Sequence, residues 1–177
     1  MPPTALLVID MQKDFCYSDG SLFIGEHVKN IFEPLRRVVE VAKGKIPVIY
    51  TQDWHRSDDA EFAVWPAHCI EGSRGAEVID ELPKADYYVK KRRYSAFFAT
   101  DLDLLLRELG VEMIYLAGVA TNICVMHTAI DAVQMGYKVA VLKDCTASLD
   151  NYSHEYGLYH MENVLKAEII TSGEFLS

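Results

Sequence analysis

The chain has 177 residues, half of them hydrophobic, and a formal net charge of −9 at pH 7. This length and composition predict one globular domain over residues 1–177 and exclude a disordered chain. The acidic balance argues against nucleic-acid and anionic-membrane partners, and no apolar run is long enough to span a bilayer. Because there is no signal-peptide pattern and the four cysteines form no CxxC pair, we expect a cytoplasmic protein with reduced thiols.

Apolar runs alternate with amphipathic segments along the whole chain. The predicted strands cover residues 4–10, 47–51, 87–91, 113–117, 138–142 and 167–171. The predicted helices cover residues 27–43, 76–82, 101–109, 124–135 and 154–166. Such alternation is typical of right-handed βαβ crossovers, so the sequence predicts an α/β fold with a mostly parallel sheet covered by helices on both faces.

Three chemically active side chains fall at the predicted carboxyl ends of strands, the edge where open α/β sheets bind ligands. Asp10 ends the first strand, Lys91 ends the third, and Cys124 follows the fourth. We expect Thr121 or Asn122 to cap a helix whose first turn contains Cys124. At that position the helix dipole is expected to lower the pKa of the thiol.

The same three side chains can be combined into a nucleophilic site. A cysteine nucleophile needs a base, and Asp10 can accept the proton of Cys124 and return it to a leaving amine. Lys91 can keep the thiolate and Asp10 ionised. Taken singly, each residue is better explained in another way: Asp10 as a turn acid, Lys91 as a solvated lysine and Cys124 as a buried structural cysteine. Their convergence at one edge of the sheet favours a catalytic site.

A second group of residues has the composition of a metal site. Asp53 and His55 are two residues apart in an extended segment, so both side chains point the same way. His68 follows on a long loop, and Glu61 lies between them and is a further candidate, directly or through water. Two imidazoles and a carboxylate suit zinc, ferrous iron or manganese. Ordinary polar loop residues are the alternative explanation, because D-x-H alone is a weak motif.

Aromatic side chains in the loops at this edge could form the walls of a site for a small, flat substrate. They are Phe15, Trp54, Trp65, Tyr94 and Phe97. Phe15, Trp65 and Tyr94 are the substrate-binding candidates. We expect at least two of the five to anchor loops onto the core instead.

Several segments together resemble a known family. Residues 10–15 (DMQKDF), 91–97 (KRRYSAF) and 118–125 (GVATNICV) resemble the signature blocks of the isochorismatase-like cysteine hydrolases. Residues 53–55 (DWH) and 65–69 (WPAHC) are similar to those of the nicotinamidase/pyrazinamidase branch. The blocks occur in order from the first strand through the fifth. The resemblance implies a three-layer α/β/α sandwich with a six-stranded sheet.

The resemblance also implies roles for individual residues. Asp10, Lys91 and Cys124 would form a catalytic triad. A cis peptide bond is implied between Val119 and Ala120, so that the backbone amides of Ala120 and Cys124 form an oxyanion hole.

A metal centre follows from the same resemblance. Asp53, His55 and His68 would hold one divalent ion, with zinc expected first and iron or manganese as the other choices. In some relatives a glutamate at the position of Glu61 joins them.

The implied activity is hydrolysis of nicotinamide to nicotinate and ammonia through a cysteine thioester, as a step of NAD salvage, by a chain that forms homo-oligomers. Phe15 and Trp65 match positions that flank the substrate ring. Asn122 departs from the acid found there in many nicotinamidases, so another small amide, a carbamoyl compound or a ureide is the alternative substrate. A catalytically silent metal-binding or ligand-binding module is the non-enzymatic alternative.

Overall fold

A computed structural model describes residues 2–177 and contains one sheet of six strands. The strands are β1 (Thr4–Ile9), β2 (Val48–Asp53), β3 (Tyr87–Lys91), β4 (Met113–Val119), β5 (Lys138–Ala147) and β6 (Glu168–Ile170). They lie in the order β3-β2-β1-β4-β5-β6, and each neighbouring pair is parallel. The predicted parallel α/β fold is confirmed.

Helices cover both faces of this sheet and complete the three-layer sandwich. They are α1 (Lys13–Cys16), α2 (Phe32–Ala42), α3 (Leu102–Glu108), α4 (Met126–Gln134), α5 (Asn151–Asn163) and α6 (Ser172–Leu176). Side chains alternate along β1: Leu6 and Val8 pack in the core under α2, and Leu7 and Ile9 pack in the core under α3, α4 and α5. Within residues 2–177 no helix is long and apolar enough to cross a membrane.

The helix predicted over residues 76–82 is wrong. This segment instead runs antiparallel to the chain that follows β1, with Val78 opposite Gln12. The amide of Ile79 donates a hydrogen bond to the carbonyl of Met11 at 3.0 Å. The tertiary pairing overrides the weak local preference for a helix.

Other helix boundaries in the structure differ from the predicted ones. The predicted helix 27–43 is divided into a 3₁₀ helix, Glu26–Ile31, and α2. The last predicted helix begins earlier, at the start of α5, because Asp150 caps it by accepting a hydrogen bond from the amide of Ser153 at 2.7 Å. The short helices α1 and α6 were not predicted.

Strand β5 extends beyond its predicted end at residue 142. After an irregularity in the pairing, Thr146 and Ala147 lie beside Gly118 and Val119 of β4. This extension brings the chain after β5 next to the segment that follows β4.

The carboxyl edge of the sheet gathers the predicted functional residues. Asp10 directly follows β1 with a positive φ of 52°, Asp53 ends β2, and Lys91 ends β3. Asp53 and Lys91 are register partners in neighbouring strands. The position of a catalytic site at this edge therefore follows from the parallel topology.

We predict that Gly118→Ala strongly destabilises the fold. Gly118 has φ +108°, and a Cβ there would lie 2.1 Å from the carbonyl oxygen of Ile9. Because both atoms belong to the centre of the sheet, we expect the free energy of unfolding in urea to fall by at least about 3 kcal/mol. Gly44→Ala is the control: its φ is +76°, but its Cβ would meet no atom within 4 Å, so about 1 kcal/mol is expected. Equal losses would contradict this account.

Candidate active site

Lys91 occupies the centre of the site, and its side chain is completely buried. Its Nζ lies 2.8 Å from Oδ2 of Asp10 and 2.6 Å from Oδ1 of Asp53. It also lies 3.4 Å from Sγ of Cys124 and donates a hydrogen bond to the carbonyl of Arg93 at 2.8 Å. The structure thus brings the three predicted strand-end residues together and adds Asp53 to them.

Burial and charge determine the proton affinities of these groups. Burial raises the pKa of Asp10 to about 6, against the opposing effect of Lys91. Burial alone would lower the pKa of Lys91, but the carboxylates of Asp10 and Asp53 raise it well above its ordinary value. The ammonium therefore stays charged, and Asp10 is a stronger base than an exposed aspartate.

The lowered thiol pKa predicted for Cys124 is wrong. Burial raises its pKa well above the ordinary value of a cysteine. Lys91 opposes this rise, whereas the carboxylates of Asp10 and Asp53 add to it. These effects outweigh the lowering of the thiol pKa that the helix dipole was expected to cause. The resting side chain is therefore a neutral thiol beside a base.

Cys124 lies in a π-helical turn, Thr121–Val125, that precedes α4. The turn begins after Ala120, and no side chain caps it, so the predicted capping by Thr121 or Asn122 is wrong. Both side chains have other partners. The hydroxyl of Thr121 lies 2.7 Å from Nδ1 of His154 in α5, so this histidine supports the turn that contains Cys124.

The side chain of Asn122 contacts the chain after β5. Its Oδ1 accepts a hydrogen bond from the hydroxyl of Ser148 at 2.5 Å. On the other side Gly157 of α5 lies so close that a Cβ there would be 3.0 Å from Cα of Asn122. The turn that carries the thiol is therefore fixed by two neighbouring elements.

Asp53, His55, Glu61 and His68 form a second group, here named the imidazole–carboxylate cluster. One ligand atom from each residue lies within 4.8 Å of the others. Nε2 of His55 lies 3.0 Å from Oε2 of Glu61 and 3.4 Å from Oδ2 of Asp53. Nε2 of His68 lies 3.5 Å from the same oxygen of Asp53. The three predicted ligands converge, and Glu61 joins them.

The donor atoms of this cluster fit a divalent cation. Nε2 of His55 is buried and makes no hydrogen bond within residues 2–177. The other ring nitrogens are engaged outside the cluster: Nδ1 of His55 with Asp59 at 2.9 Å, and Nδ1 of His68 with the carbonyl of Pro66 at 2.7 Å. Both Nε2 atoms are thus directed inward with two carboxylates, a donor set typical of zinc, iron and manganese sites.

Asp53 connects the two groups, because one of its oxygens contacts Lys91 and the other faces the imidazoles. Burial alone would raise its pKa, but Lys91 and the neighbouring imidazoles of His55 and His68 lower it far below the usual range. Asp53 is therefore ionised at every relevant pH.

Cys124 and three members of the imidazole–carboxylate cluster line one apolar pocket, here named the central pocket. Its lining residues are Phe15, Leu22, Ile24, Asp53, Glu61, Trp65, His68, Tyr94, Val119, Ala120, Ile123, Cys124 and Leu149. The peptide bond between Val119 and Ala120 is cis, as the family resemblance implies. The predicted substrate contacts, nucleophile and cluster thus share one cavity.

Three of the five loop aromatics line the central pocket. Trp65 donates a hydrogen bond from Nε1 to the hydroxyl of Tyr94 at 2.9 Å, and Phe15 packs on His68 with ring centroids 5.4 Å apart. The other two are anchors, as expected for at least two: Trp54 lies under the ammonium of Lys90, and Phe97 stacks on Tyr137.

Sequence reasoning missed several members of the site. Leu22, Ile24 and Leu149 supply much of the apolar wall of the central pocket. The apolar run at residues 22–24, which follows a turn, could have indicated the first two of these lining residues. Nothing in the sequence around Leu149 indicates that it lines the pocket. Thr51, which donates a hydrogen bond to Asp10 at 2.7 Å, was hidden inside an apolar strand.

Comparison with known proteins agrees with this geometry. The model of the isochorismatase domain matches residues 4–174. The chain belongs to the isochorismatase family. An isochorismatase-like hydrolase from Alkaliphilus metalliredigens is 39% identical, with a TM-score of 0.93 and coverage of 98% of this chain and 97% of that one. The fold and the hydrolase class of the family are therefore those of this chain.

Two further solved structures belong to the nicotinamidase branch of the isochorismatase family. The nicotinamidase/pyrazinamidase PncA of Bacillus subtilis is 33% identical, with a TM-score of 0.90 and coverage of 95% of this chain and 99% of that one. The pyrazinamidase of Pyrococcus horikoshii, solved in complex with zinc, is 32% identical, with a TM-score of 0.89 and coverage of 96% and 99%. The chain is thus an amidohydrolase of this branch.

We predict that Lys91→Met destabilises the metal-free protein by about 3 kcal/mol at pH 8, because two buried carboxylates lose their counter-ion. Without the ammonium their pKa values in the folded state rise above those in the unfolded state. The folded state then binds more protons, so the loss shrinks as the pH is lowered toward about 5.

Urea unfolding in the presence of a chelator measures this loss. Lys90→Met is the matched control, because Lys90 precedes Lys91 but is partly exposed and contacts Trp54 and Gln52. We expect it to cost about 1 kcal/mol or less at either pH. A similar loss for both variants would show that the buried ammonium is not needed for stability.

Proposed function

We propose that this chain is a nicotinamidase that converts nicotinamide to nicotinate and ammonia, a reaction that returns nicotinamide to NAD synthesis. One observation carries the proposal: the thiol of Cys124 and the imidazole–carboxylate cluster face the same narrow apolar pocket. Such a pocket suits a flat ring with a carboxamide at one end and a metal-binding nitrogen in the ring.

In the first half of the reaction, Asp10 accepts the proton of the Cys124 thiol, and the sulfur attacks the carboxamide carbon. The raised pKa of Asp10 supports this role, since a carboxylate with a pKa of about 6 accepts a proton more readily than an ordinary aspartate. Lys91, 3.4 Å from the sulfur, stabilises the thiolate as it forms. The proton then passes from Asp10 to the nitrogen, the C–N bond breaks, and ammonia leaves.

The backbone amides of Ala120 and Cys124 are proposed to bind the oxyanion of the tetrahedral intermediate. Both residues line the central pocket, which supports this placement. Each such donor contributes a few kcal/mol, roughly 3 kcal/mol. In the second half, Asp10 deprotonates a water molecule that attacks the thioester, and the thiol of Cys124 is regenerated.

The substrate ring is proposed to lie between Phe15 and Trp65, with Tyr94 holding the indole by its hydrogen bond. Asp53, His55, Glu61 and His68 would hold a divalent cation, for which we propose zinc. When bound, the cation supplies a Lewis-acidic position for the ring nitrogen. The two groups would then fix opposite ends of one small molecule.

The departure at Asn122 does not alter the lining of the central pocket. Its side chain is hydrogen-bonded to Ser148 and is not among the lining residues. The difference from the acid found in many nicotinamidases therefore affects the support of the π-helical turn and not the surface that meets the substrate. The residue at position 122 therefore gives no reason to prefer a carbamoyl compound or a ureide to nicotinamide.

We predict ammonia release from nicotinamide by the zinc-loaded protein, and its loss by about 1000-fold or more in Cys124→Ala. Cys145→Ala is the matched control, because Cys145 is equally buried but lies in the core outside the central pocket. It should retain activity. Protein stripped with a chelator should be inactive until zinc, manganese or iron is restored.

Failure with nicotinamide under every metal would overturn the proposed substrate. A screen of carbamoyl compounds and ureides would then distinguish a different amidohydrolase from a silent binding module. Wild-type activity in Cys124→Ala would overturn the mechanism itself.

We predict that His68→Ala weakens metal binding by at least about 100-fold and raises KM for nicotinamide far more than it lowers kcat. His68 contributes one imidazole to the cluster but does not contact the thiol. His160→Ala, on the partly buried surface of α5, is the control and should match wild type. A loss confined to kcat, with metal affinity unchanged, would rule out this role for His68.

A further inference from the structure

A buried carboxylate behind the imidazole–carboxylate cluster has no role in the proposed chemistry. The side chain of Asp59 is completely buried, whereas that of the preceding Asp58 is 66% exposed. Asp59 does not line the central pocket and is not a member of the cluster. A buried carboxylate is costly unless every oxygen has partners, so its contacts indicate what it holds in place.

We propose that Asp59 is the positioning residue of the metal site, and that it sets the affinity for the cation by fixing His55 and Glu61 together. This inference rests on the metal site of the proposed function. Asp59 itself touches neither the substrate nor the reacting atoms.

The first contact fixes the imidazole. Oδ2 of Asp59 lies 2.9 Å from Nδ1 of His55. An ionised carboxylate only accepts hydrogen bonds, so Nδ1 carries the proton and donates it. In the neutral ring that binds a metal, the unprotonated nitrogen is then Nε2, the atom that faces the cluster. Carboxylates in this position orient metal-bound histidines and raise their basicity.

The second contact fixes the carboxylate ligand. Oδ1 of Asp59 accepts a hydrogen bond from the amide of Glu61 at 3.0 Å and so caps the 3₁₀ helix Ala60–Ala63. This helix carries Glu61 to the cluster. One side chain therefore holds the backbone of one ligand and the ring of another, which belong to different parts of the loop after β2.

The third set of contacts ties this loop to the chain after β3. Arg92 donates from Nε to Oδ2 of Asp59 at 2.9 Å, and Arg93 donates from a terminal guanidinium nitrogen to Oδ1 at 3.0 Å. The carbonyl of Arg93 in turn accepts from Nζ of Lys91. Asp59 is thereby neutralised and joined to the backbone segment that holds the central ammonium.

Asp59→Asn tests the proposal, with Asp58→Asn as the matched control. Asn keeps the size of the side chain, but its amide nitrogen accepts no hydrogen bond, so either Nδ1 of His55 or the backbone amide of Glu61 loses its acceptor. We expect zinc affinity, measured by competition with a chromophoric chelator, to fall by about 10-fold to 100-fold. Asp58 is exposed and pairs only with Arg56, so its variant should stay within about twofold of wild type.

Two further readouts separate positioning from general damage. The visible absorption bands of the cobalt-substituted protein should change in Asp59→Asn and not in Asp58→Asn. Thermal unfolding of the metal-free proteins shows whether the fold is intact. Wild-type zinc affinity in a folded Asp59→Asn protein would overturn the proposal.

If Asp59→Asn does not fold, a double variant of the exposed arginine partners of Asp59 tests the same positioning role. Arg92→Gln with Arg93→Gln removes two partners of Asp59 that are 45% and 41% exposed. We expect zinc affinity at least about threefold weaker than in Arg56→Gln. Equal affinity would overturn the proposal. Because these measurements follow zinc binding alone, a protein that binds zinc as predicted but leaves nicotinamide intact would refute the proposed activity and not the role of Asp59.

Discussion

The ammonium of Lys91 is the interaction on which the site depends. It lies among two buried carboxylates and a buried thiol, at 2.8 Å from Asp10, 2.6 Å from Asp53 and 3.4 Å from Cys124. Without it, the carboxyl edge of the sheet would hold two buried negative charges with no counter-ion. Parallel pairing of β1, β2 and β3 makes this arrangement possible, because their carboxyl ends meet at one edge.

The same ammonium joins the two halves of the proposed chemistry. Asp10 and Cys124 contact it directly. Asp53 contacts it through one carboxylate oxygen and faces the imidazole–carboxylate cluster through the other. A change in the charge of one group of residues therefore alters the pKa values of the other group. Burial and the charge of Asp53 raise the pKa of Asp10 to about 6, whereas Lys91 and the two imidazoles lower the pKa of Asp53 far below the usual range. Two aspartates in one buried site acquire different tasks from their different contacts.

The sequence was sufficient for the parallel α/β fold and for the candidate triad and metal ligands. It was insufficient for the apolar wall of the central pocket and for the protonation and support of these residues. The apolar run that ends in Asp10 and the strand that ends in Lys91 indicated the carboxyl edge of the sheet, and the D-x-H motif with His68 indicated the cluster. The raised thiol pKa could not be predicted, since it depends on how deeply Cys124 is buried beside charges distant in sequence. Asp59 could not be separated from Asp58 either, because only the folded loop buries one and exposes the other.

Cys124 is proposed to act as a covalent nucleophile, and rapid quenching tests this role most directly. Zinc-loaded protein turning over nicotinamide would be stopped in acid, digested and examined by mass spectrometry. We predict one pyridine-carbonyl group attached to the peptide that contains Cys124, and none on the peptides that contain Cys16, Cys69 or Cys145. Turnover with no adduct, or with the adduct on another residue, would contradict it.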